Sequence, residues 1–135
     1  MGTNVYAFRD DQEEVARIQV KTAQGKSYKG EAGHRAVFDI PMKQLARPDR
    51  PPLYYALAVR LGGRWADFLL ISRPQLNDCW NGEQPFGTEN QRSGNLVLTV
   101  QFRPEKVLCG NVDLTAYRQA WDTLPPFRTL PEIGD

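Results

Sequence analysis

Arg17-Ile18-Gln19-Val20-Lys21-Thr22 is the stretch on which the reading of the fold turns. Together with Val15 and Ala16 it alternates polar and apolar residues, so Val15, Arg17, Gln19 and Lys21 face one side of a strand and Ala16, Ile18 and Val20 the other. Immediately upstream, residues 4–9 alternate in the same way and carry Val5, Tyr6 and Phe8, which predicts a preceding strand. The polar run Asp10-Asp11-Gln12-Glu13 between them reads as the turn of a hairpin.

Downstream, residues 23–33 hold Gly25, Gly30 and Gly33 and read as a loop or a ragged hairpin tip, followed by a third strand over 35–40. Pro41 suits the first turn of a short helix through Ala46, because its missing N–H is not needed there. The proline-rich run 47–52 reads as an extended connection. Two apolar runs, 53–61 and 65–72, flank Gly62-Gly63, which is tight-hairpin chemistry, and their few polar positions put this pair at the centre of the core. Ser72 caps a helix running to about Trp80, residues 81–94 read as a loop, 96–102 as a strand and 105–108 as a short one. Asp113 is placed to cap a helix over 114–123, where Leu114, Tyr117, Ala120, Trp121 and Leu124 recur at helical spacing.

The expected class is therefore α/β in the broad sense, α+β in detail: a mixed, largely antiparallel central sheet with a few flanking helices. The 135 residues suffice for one domain over 1–124, with a tail over 125–135. A 41 % apolar and 24 % charged composition is that of a globular chain. No run reaches the ~20 apolar residues of a membrane-spanning helix and no basic-then-apolar leader opens the chain, so a cytoplasmic protein without a membrane partner is expected. Cys79 and Cys109 form no C-x-x-C pair and have only His34 as an imidazole companion, a pattern of packed thiols.

The net charge of +1 gives no global nucleic-acid signature, but its distribution is uneven. Residues 17–35 carry Arg17, Lys21, Lys26, Lys29 and Arg35 against the single acid Glu31. In metal-dependent phosphodiester cleavage, oxygen ligands hold Mg²⁺ against the phosphate and a nearby lysine orients the attacking water. Gln19 and Lys21, two apart on a strand, share the face such chemistry needs.

The wording R-I-Q-V-K-T, in the order hairpin strand, glycine- and lysine-bearing loop, apolar strand and apolar hairpin, resembles the PD-(D/E)xK or restriction-endonuclease-like superfamily over roughly residues 4–80. It is most similar to small members in which Q-V-K-T replaces E-x-K. The resemblance implies a restriction-endonuclease-like core, Mg²⁺ as cofactor, and nucleic acid, DNA rather than RNA, as partner. It assigns Lys21 and Gln19 to catalysis, Asn4 and Gln19 to the metal, and Lys26, Lys29 and Arg35 to phosphate contact. Two departures qualify that assignment: Asn4 stands where the family has an aspartate, and no helix precedes the first strand. Three explanations stay open: a shortened reading frame, a second copy or partner chain that completes the sheet, or decayed catalysis. Asp10, Asp11 and Glu14 are the acids available as replacements, at the far end of the hairpin by register. A noncatalytic nucleic-acid or protein-binding module on the same fold is the alternative. The aromatic group Tyr54, Tyr55, Trp65 and Phe68 reads as core, and His34 as a polar residue at the start of a strand.

Overall fold

A computed structural model describes residues 2–9 and 14–120, with backbone alone for 2–9, 14 and 15. In chain order the elements are β1 (Gly2–Arg9), β2 (Glu14–Gln24), β3 (Lys26–Ser27), β4 (His34–Pro41), α1 (Met42–Leu45), β5 (Leu53–Leu61), β6 (Arg64–Ser72), α2 (Arg73–Asn81), β7 (Thr88–Asn90), β8 (Asn95–Phe102), β9 (Val107–Cys109), β10 (Val112–Asp113) and a 3₁₀ turn, Thr115–Tyr117. The class is α+β and rich in antiparallel pairing. The strands divide between two sheets, ordered β1-β2-β5-β6 and β10-β9-β8-β4-β3, with β7 also paired to β8. The one parallel pairing in either described sheet joins β2 to β5, which makes the first sheet mixed.

The hairpin β5–β6 forms as its sequence dictates. Gly62 and Gly63 both take positive φ, 54° and 85°, a conformation that glycine adopts without a Cβ penalty and that matches the twist of the flanking strands. Ser72 then stops β6 and starts α2: its hydroxyl accepts from Gln75 N–H at 3.2 Å while Gln75 Oε1 accepts from Ser72 N–H at 3.0 Å, a reciprocal cap. On β4 the alternation is strict. His34, Ala36, Phe38 and Ile40 are buried, whereas Arg35, Val37 and Asp39 are exposed. The buried faces of both sheets meet in one core, with Leu53, Tyr55, Leu57, Val59, Leu69 and Ile71 from the first and Phe38, Ile40, Leu96, Leu98, Val100 and Phe102 from the second. His34 belongs to this interior, its ring stacked on Phe102 with centroids 5.0 Å apart.

Strand β2 passes from one sheet to the other through a single residue. Its last pair with β5 is Gln24 with Arg60, Gly25 N–H donates to Arg60 O at 2.8 Å, and Lys26 already pairs with Arg35 in the second sheet. A Cβ at Gly25 would lie 2.7 Å from Val59 Cγ1 and 2.8 Å from Leu61 Cδ2, so only glycine lets the chain turn this close to β5.

At the other end, Arg73 fastens the 47–52 connection. It is 2 % exposed, its Nε donates to Asp49 Oδ1 at 3.1 Å and its Nη1 to Gln44 O at 3.1 Å. Asp49 Oδ1 also accepts from Leu53 N–H at 3.0 Å, which sets where β5 begins. Asn77 Nδ2 donates to Leu45 O at 2.7 Å and ties α2 to the end of α1.

Two segments depart from the sequence reading. Residues 88–90, expected in a loop, add a short strand beside β8. The helix expected over 114–123 is a 3₁₀ turn: Asp113 Oδ1 does accept from Thr115 N–H at 2.8 Å, but the chain then extends, Arg118 bridging Leu69 on the edge of β6. The cause is Arg118, whose guanidinium pairs with the buried Asp67 and donates to Arg103 O at 2.6 Å, an arrangement a continuing helix would break. The helical spacing to Trp121 and Leu124, and the tail over 125–135, lie outside the described residues.

Two substitutions test this frame by urea denaturation. Gly25→Ala should lower the unfolding free energy by about 1–3 kcal/mol through overpacking against Val59, and an unchanged midpoint would show that the crossing has room to spare. Arg73→Ala should cost about 3 kcal/mol, the low end for a broken buried pair because Asp49 keeps part of its contact with water. A loss under about 1 kcal/mol would mean the clamp is dispensable.

Candidate functional site

The inner face of β2 carries a strip of polar residues where the neighbouring strand carries core. Arg17, Gln19 and Lys21 stand beside Leu53, Tyr55 and Leu57 of β5 in direct register. Leu53, Tyr55 and Leu57 are fully buried, while the three β2 residues are half-buried. Along this strip Arg17 Nε, Gln19 Oε1 and Tyr55 Oη are each buried without a hydrogen-bond partner among the described residues, as is Gln44 Oε1 on α1. Buried polar atoms are almost always satisfied, and each one left unpaired costs about 1–3 kcal/mol. A row of them on adjacent strands makes this strip the candidate site for a polar ligand. Burial also pushes the Tyr55 phenol up to about 12, against the opposing influence of Arg73 and Arg17, so it stays a neutral hydroxyl at physiological pH.

Lys21 ends the strip. Burial lowers its ammonium below the ordinary 10.5, and the nearby carboxylate of Asp39 acts in the opposite sense. Lys21 and Asp39 line one cleft of about 280 Å³ with Thr22, Val37, Pro41 and Asn95. A second cleft, lined by Thr22, Gln24, Lys26, Arg35, Val37 and Thr99, continues from it. Because Thr22 and Val37 belong to both, the two form one groove between β2 and β4, running from Lys21 and Asp39 to Lys26 and Arg35.

The residues singled out from sequence fall into this frame unevenly. Gln19 and Lys21 share a strand face, and the register of β1 with β2 sets Asn4 opposite Gln19 and Gly2 opposite Lys21. The Asn4 side chain lies outside the described residues, as do Asp10 and Asp11; the backbone of Glu14 pairs with Arg9 at the far end of the hairpin from Lys21. Lys26 and Arg35 are direct partners across β3 and β4, both exposed. Lys29 is exposed in the bend that follows β3 and does not line the cleft that Lys26 and Arg35 share.

Asp39, Thr22 and Asn95 were not among the sequence candidates. Only the strict alternation of β4 signalled that Asp39 points away from the core, and nothing in the chain announced that β4 would lie beside β2. Cys79 is half-buried and Cys109 buried, and burial raises both thiols, Cys109 to about 12. Among the described residues no group of three or more His, Cys, Asp or Glu side chains gathers to hold a metal. The Asp39 carboxylate lines the Lys21 cleft and Gln19 Oε1 does not; both are oxygen donors of the hard type that Mg²⁺ accepts, too few to hold an ion by themselves.

The Lys21 shift has a definite sign. Its folded pKa lies below the unfolded 10.5, so between the two the unfolded chain holds more protons and stability rises with pH across that window. Asp39→Asn removes the influence that raises Lys21, so the Lys21 midpoint should fall further; a ¹³Cε titration by NMR reads this directly, and an unmoved midpoint would place Asp39 too far away to matter. No family model, no curated protein and no solved structure matches the chain.

Proposed function

We propose that this chain is a cytoplasmic, nuclease-like domain of the PD-(D/E)xK type that takes a DNA backbone into the groove between β2 and β4 and presents Gln19 and Lys21 to a phosphodiester. The observation that carries this reading is the strip itself: an unpaired, buried Gln19 oxygen two residues from a half-buried Lys21, with an unpaired Arg17 Nε behind it. A phosphate has the complementary equipment, since its oxygens accept from Arg17 and Lys21. Lys21, partly desolvated, interacts with developing negative charge more strongly than a solvated lysine does.

Mg²⁺ is the cofactor of this reading. Gln19, Asn4 and Asp39 are the residues that would hold it, and the ion would supply charge to the phosphate oxygens and an acidified water. Lys26 and Arg35 hold the strand farther along the groove, and Lys29 flanks them from the adjoining bend. Specificity toward a base sequence is not asked of these groups, because backbone contacts position the nucleic acid without reading it.

One observation favours a second reading. Asp39 is the sole described carboxylate lining the Lys21 cleft, a thin donor set for metal catalysis, so the same groove could serve as a noncatalytic nucleic-acid-binding or protein-binding surface.

Plasmid nicking separates the two. The cleavage reading expects nicking of supercoiled DNA with Mg²⁺ or Mn²⁺ and a loss of at least about 100-fold in Lys21→Ala, the scale of removing a group that stabilises transition-state charge. Folded protein that nicks nothing with either ion excludes it. The binding reading then expects salt-sensitive affinity that survives Lys21→Ala and weakens when Lys26 and Arg35 are changed together, with the log–log salt slope falling by about 1 for each lost phosphate contact.

A further inference from the structure

Near the end of the groove the β5–β6 hairpin tip carries an exposed aromatic side chain, Trp65. Trp65 is 60 % exposed, although tryptophan is highly buried on average. It is held rather than loose. The Arg60 guanidinium lies over its ring, 4.7 Å from the centroid, and Arg60 Nη2 donates to Gly63 O at 2.8 Å, so the turn fixes the guanidinium and the guanidinium fixes the ring.

Register sets this pair beside the groove. Gln24 pairs with Arg60 across β2 and β5, and Arg60 pairs with Trp65 across β5 and β6, so the three side chains form a row on the outer face of the first sheet. Gln24 also lines the cleft that holds Lys26 and Arg35. Lys26 and Arg35 are direct cross-strand partners of like charge, an arrangement that opposes folding. None of Lys26, Arg35, Arg60 and Arg64 forms an ion pair with a described carboxylate, whereas Arg73, Arg103 and Arg118 each do. Beyond Trp65 the surface turns apolar, with Val20, Ala56, Ala58, Ala66 and Phe68 lining a shallow groove.

We infer that Trp65 and Arg60 form a stacking platform for the bases of a single-stranded nucleic acid whose backbone runs along Lys26 and Arg35; the inference rests on the nucleic-acid reading above. An exposed, fixed indole beside cations that no described carboxylate pairs matches a strand that offers negative phosphates on one side and the π-faces of unpaired bases on the other. A duplex keeps those faces within its own stack and gives Trp65 nothing to cover. The apolar groove past Trp65 is where the next base would lie.

Fluorescence anisotropy with an oligothymidylate and with a duplex of equal length, in about 50 mM salt, tests this. Wild-type protein should bind the single strand, Trp65→Ala should weaken that binding about ten-fold with under two-fold effect on the duplex, and Trp65→Phe should restore most of it. Replacement of Lys26 and Arg35 by glutamine should weaken both ligands. Because Trp65 is exposed at a turn, these variants should keep the wild-type melting temperature. If the Lys26/Arg35 double variant weakens binding while Trp65→Ala does not, the platform is wrong and the nucleic-acid groove stands. If wild-type protein binds neither ligand, both fall. Self-association removed by Trp65→Ala, with oligonucleotide binding intact, would reassign the patch to a protein partner and overturn the inference.

Discussion

Gly25 is the point on which the architecture turns. A strand that ends its pairing with β5 at Gln24 and begins pairing with β4 through Lys26 has one residue in which to leave one sheet and join the other. That residue must pass against the side chains of Val59 and Leu61, where any Cβ would collide. Because the crossing is so short, β4 is drawn alongside the last turns of β2, and the groove between them is a geometric result of the crossing. Lys21 and Asp39 on one side of Gly25, and Lys26 and Arg35 on the other, are near each other for that reason alone.

The polar strip on β2 is a local conflict inside an otherwise consistent design. Where β5 sets leucine, tyrosine and leucine against the second sheet, β2 sets arginine, glutamine and lysine, and three polar atoms along the strip find no partner among the described residues. Conflicts of this kind cost stability and persist where they serve a ligand. The contrast with Arg73 is instructive. That guanidinium is at least as buried, yet it donates to Asp49 and to the Gln44 carbonyl, so it acts as a clamp between the connection and α2. Arg17 Nε has no such partner among the described residues.

Much of the local structure was legible because it depends on neighbours in sequence. Gly62-Gly63, the Ser72 cap with Gln75, and the alternation of β4 each follow from residues within a few positions of one another. The class, α+β, followed from summing such segments. The division into two sheets was not legible, because it depends on β2 pairing in parallel with β5 across some thirty residues and on a steric constraint at Gly25 that exists only after β5 is in place. The last expected helix failed for the same kind of reason: Arg118 finds Asp67, 51 positions away, and the chain follows that pair instead of its own helical spacing. Trp65 was read with the core aromatics because the β5–β6 hairpin shows no clean alternation, and the register shift near Arg60 turns the end of β6 outward. In the site, Gln19 and Lys21 could be paired from their spacing of two, whereas Asp39 could not be found without the tertiary placement of β4.

The charge balance of the groove bears on how a metal and a nucleic acid would act together there. Lys21 is already partly desolvated, so an anion beside it gains more than it would at the surface, and Asp39 offsets only part of that attraction. A divalent cation meeting one carboxylate and neutral oxygens finds too little negative charge to shed its water, while a phosphate meeting Lys21, Lys26 and Arg35 brings more negative charge than the site itself supplies. Under the proposed nuclease reading each ligand would provide what the other lacks, and by linkage each would strengthen the other's binding by the same factor. On that reading the groove would fill cooperatively, and its metal affinity measured without nucleic acid would understate its affinity with both present.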